Sequence, residues 1–210
     1  MKKKNAKSAV DASTEEKIKN AARTIFHKKG FAATRTRDIA EEAGINLALL
    51  NYYFRSKEKL FDIIMLESLQ DFFLSMMVLL SNEENSFDEK IELFVSNYID
   101  FLVGQPHVPL FVLSELKSNP RALVSKMNLK QVVMKSNFIK QFEQQVKKGK
   151  IVPIDPVHFL MNLAGFVVFP FIGSPVIRSL GDLNEVEFNK LMQQRKKMIP
   201  QWIKLMYKPK

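Results

Sequence analysis

Apolar residues recur along this chain at helical rather than strand spacing. Ile18, Ala21, Ala22, Ile25 and Phe26 fall at i, i+3, i+4, i+7 and i+8, which makes one buried stripe of a helix. Ser13 and Glu16 precede it at the S-x-x-E spacing of a capping box, so this helix is predicted to start at Ser13. Lys28 and Lys29 suit the negative end of its dipole, and Gly30 supplies a stop. A short second helix is predicted from Arg35 or Thr36 to Ala43, with Ile39, Ala40 and Ala43 inward. Gly44 then permits a sharp left-handed turn. A third helix follows the good N-cap Asn46 and ends near Phe54. A fourth, capped by Ser56, runs to about Leu80, roughly 36 Å at 1.5 Å per residue.

Further helices are predicted over 87–103, 108–118, 121–148, 155–169 and 185–207, with Pro106, Pro109, Pro120, Pro153, Pro156, Pro170 and Pro175 at their edges. No sustained period-two alternation appears. The expected class is all-α: an N-terminal three-helix helix-turn-helix domain and a larger C-terminal helical domain. The expected division is a disordered basic tail over 1–12, a helix-turn-helix domain over 13–60 and a helical domain over 61–210. The run Phe159 to Gly173 is apolar but holds Asn162 and Pro170, and it is shorter than the ~20 residues a membrane span needs. It is expected to be a buried helix. The start MKKKNAKSAVDAS is basic without an apolar core, unlike a signal peptide. The expected location is the cytoplasm, with no membrane partner.

Composition adds two constraints. The 210 residues contain no cysteine, which removes disulfides, thiolate chemistry and cysteine-bound metal from consideration. The three histidines, His27, His107 and His158, are scattered, and no H-E-x-x-H, G-x-S-x-G or phosphate-loop pattern occurs. Neither a catalytic nor a metal site is therefore expected. The net charge of +10 is lopsided: residues 1–60 hold 14 Lys/Arg against 7 Asp/Glu. That asymmetry points to a polyanion at the N-terminal end. Four of the 14 lie within residues 2–7, however, and a solubilising tail would look the same.

The segment 34–60, TRTRDIAEEAGINLALLNYYFRSKEKL, decides more than the charge does. Two short helices about a glycine turn are the frame that places a second helix in the major groove of DNA. With Leu50 and Phe54 facing inward, Ala48 and Tyr52 point away, and Leu49 and Asn51 flank them. Ala48 allows close approach, Leu49 suits a thymine methyl, and Asn51 suits an adenine edge. Asn46 opens this helix, and Leu47 divides between core and groove. The hydroxyls of Tyr52 and Tyr53 either reach phosphates or pack between helices. Thr36 opens the second helix, whose free N–H groups suit a phosphate; Arg37 can reach a guanine or a phosphate. Lys57, in the first turn of the fourth helix, opposes that helix's dipole, a conflict a phosphate would relieve.

The spacing of Thr36, Arg37, Ile39, Ala40, Ala43, Gly44, Ile45, Tyr53, Phe54, Lys57 and Leu60 resembles the N-terminal domain of the TetR (tetracycline-repressor) family. The resemblance covers about residues 13–62. Relatives often carry a small or hydroxylated residue at Asn46, glycine or proline at Ala48, threonine at Leu49 and tyrosine at Asn51, so the operator does not transfer from them. The resemblance implies a two-fold dimer on a palindromic double-stranded operator, a helical effector-binding domain, and release of DNA when a small molecule binds. The helices over 155–169, with Ala164 and Gly165, and over 185–207 are the dimer candidates. Phe94, Tyr98, Phe111, Met134, Phe138, Met161 and Phe166 are candidate effector-pocket residues, with Asn137, Gln141, Asn162 and Glu115 as polar anchors. No cofactor is implied beyond that unidentified effector. The alternatives are a low-specificity DNA-coating protein without an effector and an interaction module that has lost DNA binding.

Overall fold

The computed structural model describes residues 2–118 and 133–209. Ten helices lie among the described residues: α1 Lys2–Ala33, α2 Thr36–Glu42, α3 Leu47–Tyr53, α4 Lys57–Ser81, α5 Phe87–Gly104, α6 Val108–Ser118, α7 Asn137–Lys147, α8 Pro156–Ile172, α9 Ser174–Leu180 and α10 Glu185–Met206. The fold is all-α, and the described residues contain no strand. Contacts divide the chain into two compact units, Met1–Leu69 and Gln70–Lys210; α4 contributes residues to both.

Within the first unit α1 begins earlier than Ser13, at Lys2. Residues 2–12 are thus helical rather than a structureless tail. Nothing between them breaks a helix, since they hold neither glycine nor proline and several strong helix formers. Ser13 consequently lies inside α1, where it caps nothing. Gly30 acts as expected: at φ 72° and ψ 166° it breaks the helical path, and the chain resumes for one more turn. Ile18, Ala21, Ala22, Ile25 and Phe26 are all buried, as their spacing predicts.

In the second unit the helices start at caps written into the sequence. Ser86 and Glu89 form a reciprocal box at α5: the Ser86 N–H donates to Glu89 Oε2 (2.8 Å) and the Glu89 N–H donates to Ser86 Oγ (3.3 Å). Asn184 and Glu187 do the same for α10, at 2.8 and 3.0 Å. Asp155 caps α8 through the Val157 N–H at 2.7 Å, with Pro156 in the first helical position. The core between these helices is aromatic. Phe87 stacks on Phe138 at 5.1 Å, Phe142 meets Phe159 at 4.8 Å, and Phe159 meets Tyr207 at 5.2 Å.

Three expectations change here. The helix over 121–148 is observed from Asn137, with Ser136 as its cap; its earlier portion, with Pro120, lies outside the described residues. The apolar run from Phe159 is only half interior. Phe159, Leu163, Val167 and Phe171 are buried, while Val157, Met161 and Phe169 are exposed on the opposite side of α8. Pro170 sits within α8 rather than at its edge, and α9 is an additional helix beyond it.

Candidate nucleic-acid interface

The turn between α2 and α3 is built as its sequence requires. Gly44 lies at φ 62°, its N–H donates to Glu41 O, and the Ile45 N–H donates to Ala40 O, both at 3.0 Å. These paired bonds close the end of α2, and any side chain at Gly44 would strain that backbone. Asn46 Oδ1 then accepts the Leu49 N–H at 2.8 Å and starts α3. Leu50 and Phe54 are buried, which fixes the rotation of α3 about its axis. Ala48 and Asn51 are exposed, Tyr52 is 78 % exposed, and Leu47 and Leu49 are half-buried. The outward face is therefore small, amide-bearing and aromatic.

At the front of α2 Thr36 is half-buried and Arg37 exposed. Asp38 reaches back to accept the Arg35 N–H at 3.0 Å and pairs with Lys29 at 3.1 Å. The backbone donor, then Lys29, holds the Asp38 carboxyl below its ordinary value. Part of the N-terminal donor set of α2 is thus already engaged by this side chain.

Two residues expected to reach phosphate are engaged inside the chain. The Tyr53 hydroxyl donates to Asp11 Oδ1 at 2.9 Å and joins α3 to α1. Desolvation, then Asp11, pushes that hydroxyl above its ordinary value. Tyr52 alone of the pair points outward. Lys57 does not sit against its own helix dipole; its Nζ donates to Phe31 O (2.9 Å) and Thr34 O (3.0 Å) and lies 4.2 Å from the Phe31 ring centroid. It ties the α1–α2 connection to α4, and an ammonium has one further N–H to give.

A charged cluster not foreseen from spacing along the chain joins α1 to α4. Glu67 accepts from Lys19 at 2.8 Å and from Arg23, and Glu16 pairs with the same two cations at 2.8 and 3.2 Å. The spacing of Glu16, Lys19 and Arg23 on one helix was readable. Glu67 lies more than forty residues away, and only packing brings it there.

The residues expected to line an effector pocket divide between the core of the second unit and its surface. Phe138 is wholly buried in the aromatic core, and Phe111 is buried. Met161 is 57 % exposed, on the outer side of α8. Phe166 is half-buried beside Trp202, at 6.0 Å, and Met134 is half-buried just ahead of α7. Phe94 and Tyr98 meet at 5.6 Å, and with Phe166 they pack against the same core cluster that holds Phe138. A groove of about 980 Å³ in the second unit is lined instead by residues such as Phe87, Ile91, Lys196, Lys204 and Tyr207, and by none of the seven. Helical periodicity alone does not tell an inner face from an outer one when both are apolar. Among the anchors, Asn162 donates to the Tyr207 hydroxyl at 2.6 Å and Gln141 to Asn85 O at 2.9 Å; Glu115 is half-buried.

Residues 18–64, which hold this helix-turn-helix, match the family model "Bacterial regulatory proteins, tetR family". The chain is 25 % identical to a probable HTH-type transcriptional regulator, YttP of Bacillus subtilis, over 76 % of this chain and 78 % of that protein. Residues 18–64 thus form a DNA-binding domain of the TetR type. It is 24 % identical to the biofilm operon negative regulator IcaR of Staphylococcus epidermidis, over 73 % and 76 % of the two chains. A TetR-family regulator from Mesorhizobium loti shares its fold, with a TM-score of 0.59, 18 % identity, and coverage of 94 % and 98 %. The protein is a DNA-binding transcriptional regulator and not an enzyme. Proteins of this family typically act as dimers.

Proposed function

We propose that this protein is a cytoplasmic repressor of the TetR type that holds a palindromic operator as a homodimer and lets go when a small molecule binds. The observation that carries the DNA half is the cap and burial of α3: Asn46 starts it, Leu50 and Phe54 lock it, and Ala48, Asn51 and Tyr52 face out. In this reading Ala48, Leu49, Asn51 and Tyr52 meet base edges, with Asn46 and Leu47 beside them. Thr36, Arg37 and the remaining donor of Lys57 take phosphates. Tyr53 serves by orienting α3 through Asp11.

The dimer seam is assigned to α8 and α10. Val157, Met161 and Phe169 recur at multiples of four along α8, and Leu191, Met198 and Leu205 recur at sevens along α10, all exposed. Gly165, within the α8 stripe, has open space around it, so a facing helix could come close. Two such stripes from each protomer would bury one another as a four-helix contact. The two copies of α3 would then meet successive major grooves, about 34–36 Å apart. An effector that prefers the released state would move α4, whose residues belong to both units, and break that match.

Selection of genomic fragments with the purified protein tests this directly. A recovered palindrome bound about 10³-fold or more over random DNA supports it. Preference below about tenfold would replace it with the low-specificity coating protein, and no affinity at low salt with the interaction module.

A further inference from the structure

Lys90 is the largest wholly buried side chain that carries a charge: it is 0 % exposed. Its Nζ donates to Asn137 Oδ1 at 2.6 Å, a neutral acceptor. No carboxylate lies within ion-pair distance of it among the described residues, and segment 119–132 contains no Asp or Glu. Among the described residues Glu83, exposed at the surface, acts on it from a distance. Burial draws the ammonium below its ordinary value. A buried polar atom on the helix of Asn137 lacks a partner. Gln141 lies one turn beyond Asn137 on α7, and its buried Oε1 has no partner among the described residues.

A buried ammonium is ordinarily retained only with a counter-ion. On α5, Phe94, Tyr98 and Phe101 follow Lys90 at i+4, i+8 and i+11, on the same side of the helix. All three are half-buried, unlike Lys90. Phe72 of α4 stacks on Phe101 at 4.2 Å and meets Tyr98 at 4.7 Å. The row thus runs from a partly accessible aromatic surface to a shielded cation, about 12 Å between the α-carbons of Tyr98 and Lys90.

We infer that the effector is an anion with an apolar body, its anionic end paired with Lys90 and its body laid along Phe94, Tyr98 and Phe101. This rests on the effector-released repressor reading above. An acyl chain of roughly ten carbons spans the row, and the anion replaces the amide as the main partner of the ammonium. Asn137 and the N–H groups of an anchored α7 are then its neighbours, which gives the ligand a handle on the second unit that a neutral analogue lacks.

The test uses the full-length protein and three probes of equal chain length: decanoate, decanol and decyltrimethylammonium. Each is measured by thermal shift of the free protein and by release of the selected operator fragment. The expected result is stabilisation and release by decanoate alone. Lys90→Met keeps the volume, removes the charge, and should fold and bind DNA normally. Its affinity for decanoate should fall about 30-fold or more, in line with truncating one partner of a buried charge pair. Equal response to decanoate in Lys90→Met overturns the assignment of Lys90. Release by decanol or the ammonium probe overturns the anion class but leaves effector control standing. If none of the three binds or releases DNA, the inference falls, and a broader compound screen that also finds no release removes effector control with it. Should Lys90→Met fail to fold, the charge selectivity of the wild type decides the matter by itself.

Discussion

Replacing Lys57 with methionine separates two roles for the same ammonium. Lys57 spans from α4 to Phe31 O and Thr34 O and covers the Phe31 ring. Hydrogen bonds with one charged partner are worth about 1.5–3 kcal/mol each, and a cation–π contact about 0.5–1 kcal/mol at an accessible site. Lys57 is half-buried, so water can recover much of this for both carbonyls after the substitution. Methionine also keeps the stem packed on Phe31. The net loss worked from this geometry is about 2 kcal/mol of local stability, a factor of roughly 30 in an opening equilibrium. Hydrogen–deuterium exchange on the full chain reads it: amides of 31–36 and of α2 should exchange roughly 30-fold faster, with those of α10 unchanged. Operator binding is measured in parallel across salt. If the third N–H also meets a phosphate, the salt slope falls by about 1 for all DNA sequences alike. Unchanged exchange around Phe31 and Thr34 would refute the tether, and with a reduced salt slope would return Lys57 to a purely phosphate role.

Asn46→Ala removes the acceptor for the Leu49 N–H and should cost about 1 kcal/mol, seen as fraying of α3 by exchange and weaker operator binding. Met198→Glu places like charges across the proposed two-fold seam; sedimentation should show monomers, while protomer stability changes by no more than about 0.5 kcal/mol because the side chain is exposed. Asp38 gives the first unit a pH dependence. Its folded value lies below the ordinary 3.8, so its contribution is complete above that value and is lost as pH falls through the lower, folded one. Asp38→Asn should flatten the acid decline in melting temperature, whereas an unaltered profile would mean that Arg35 and Lys29 do not hold the carboxylate in solution.

The local features were legible because each is a short-range contact between near neighbours in sequence. The Gly44 turn, the Asn46 cap and the inward pair Leu50 and Phe54 all lie within four residues of what they act on. Helix starts without a stop signal were harder. Ser13 resembles a cap, yet the residues before it continue the helix, because a cap is used only where the chain actually turns.

The sequence by itself determined an all-α chain, the outward face of α3, and the resemblance to the TetR family. Spacing suffices for these, since rotation about a helix axis follows from which residues are apolar. Tertiary structure alone decided which polar groups were already taken. Tyr53 finds Asp11, Lys57 finds two carbonyls, and Glu67 finds Lys19 and Arg23, all across dozens of residues. It also left Met161, one of the seven apolar pocket candidates, at the surface and shut Lys90 away from water with an amide for company. A donor or a charge is satisfied by whatever the fold brings within about 3 Å, and that proximity is not written along the chain.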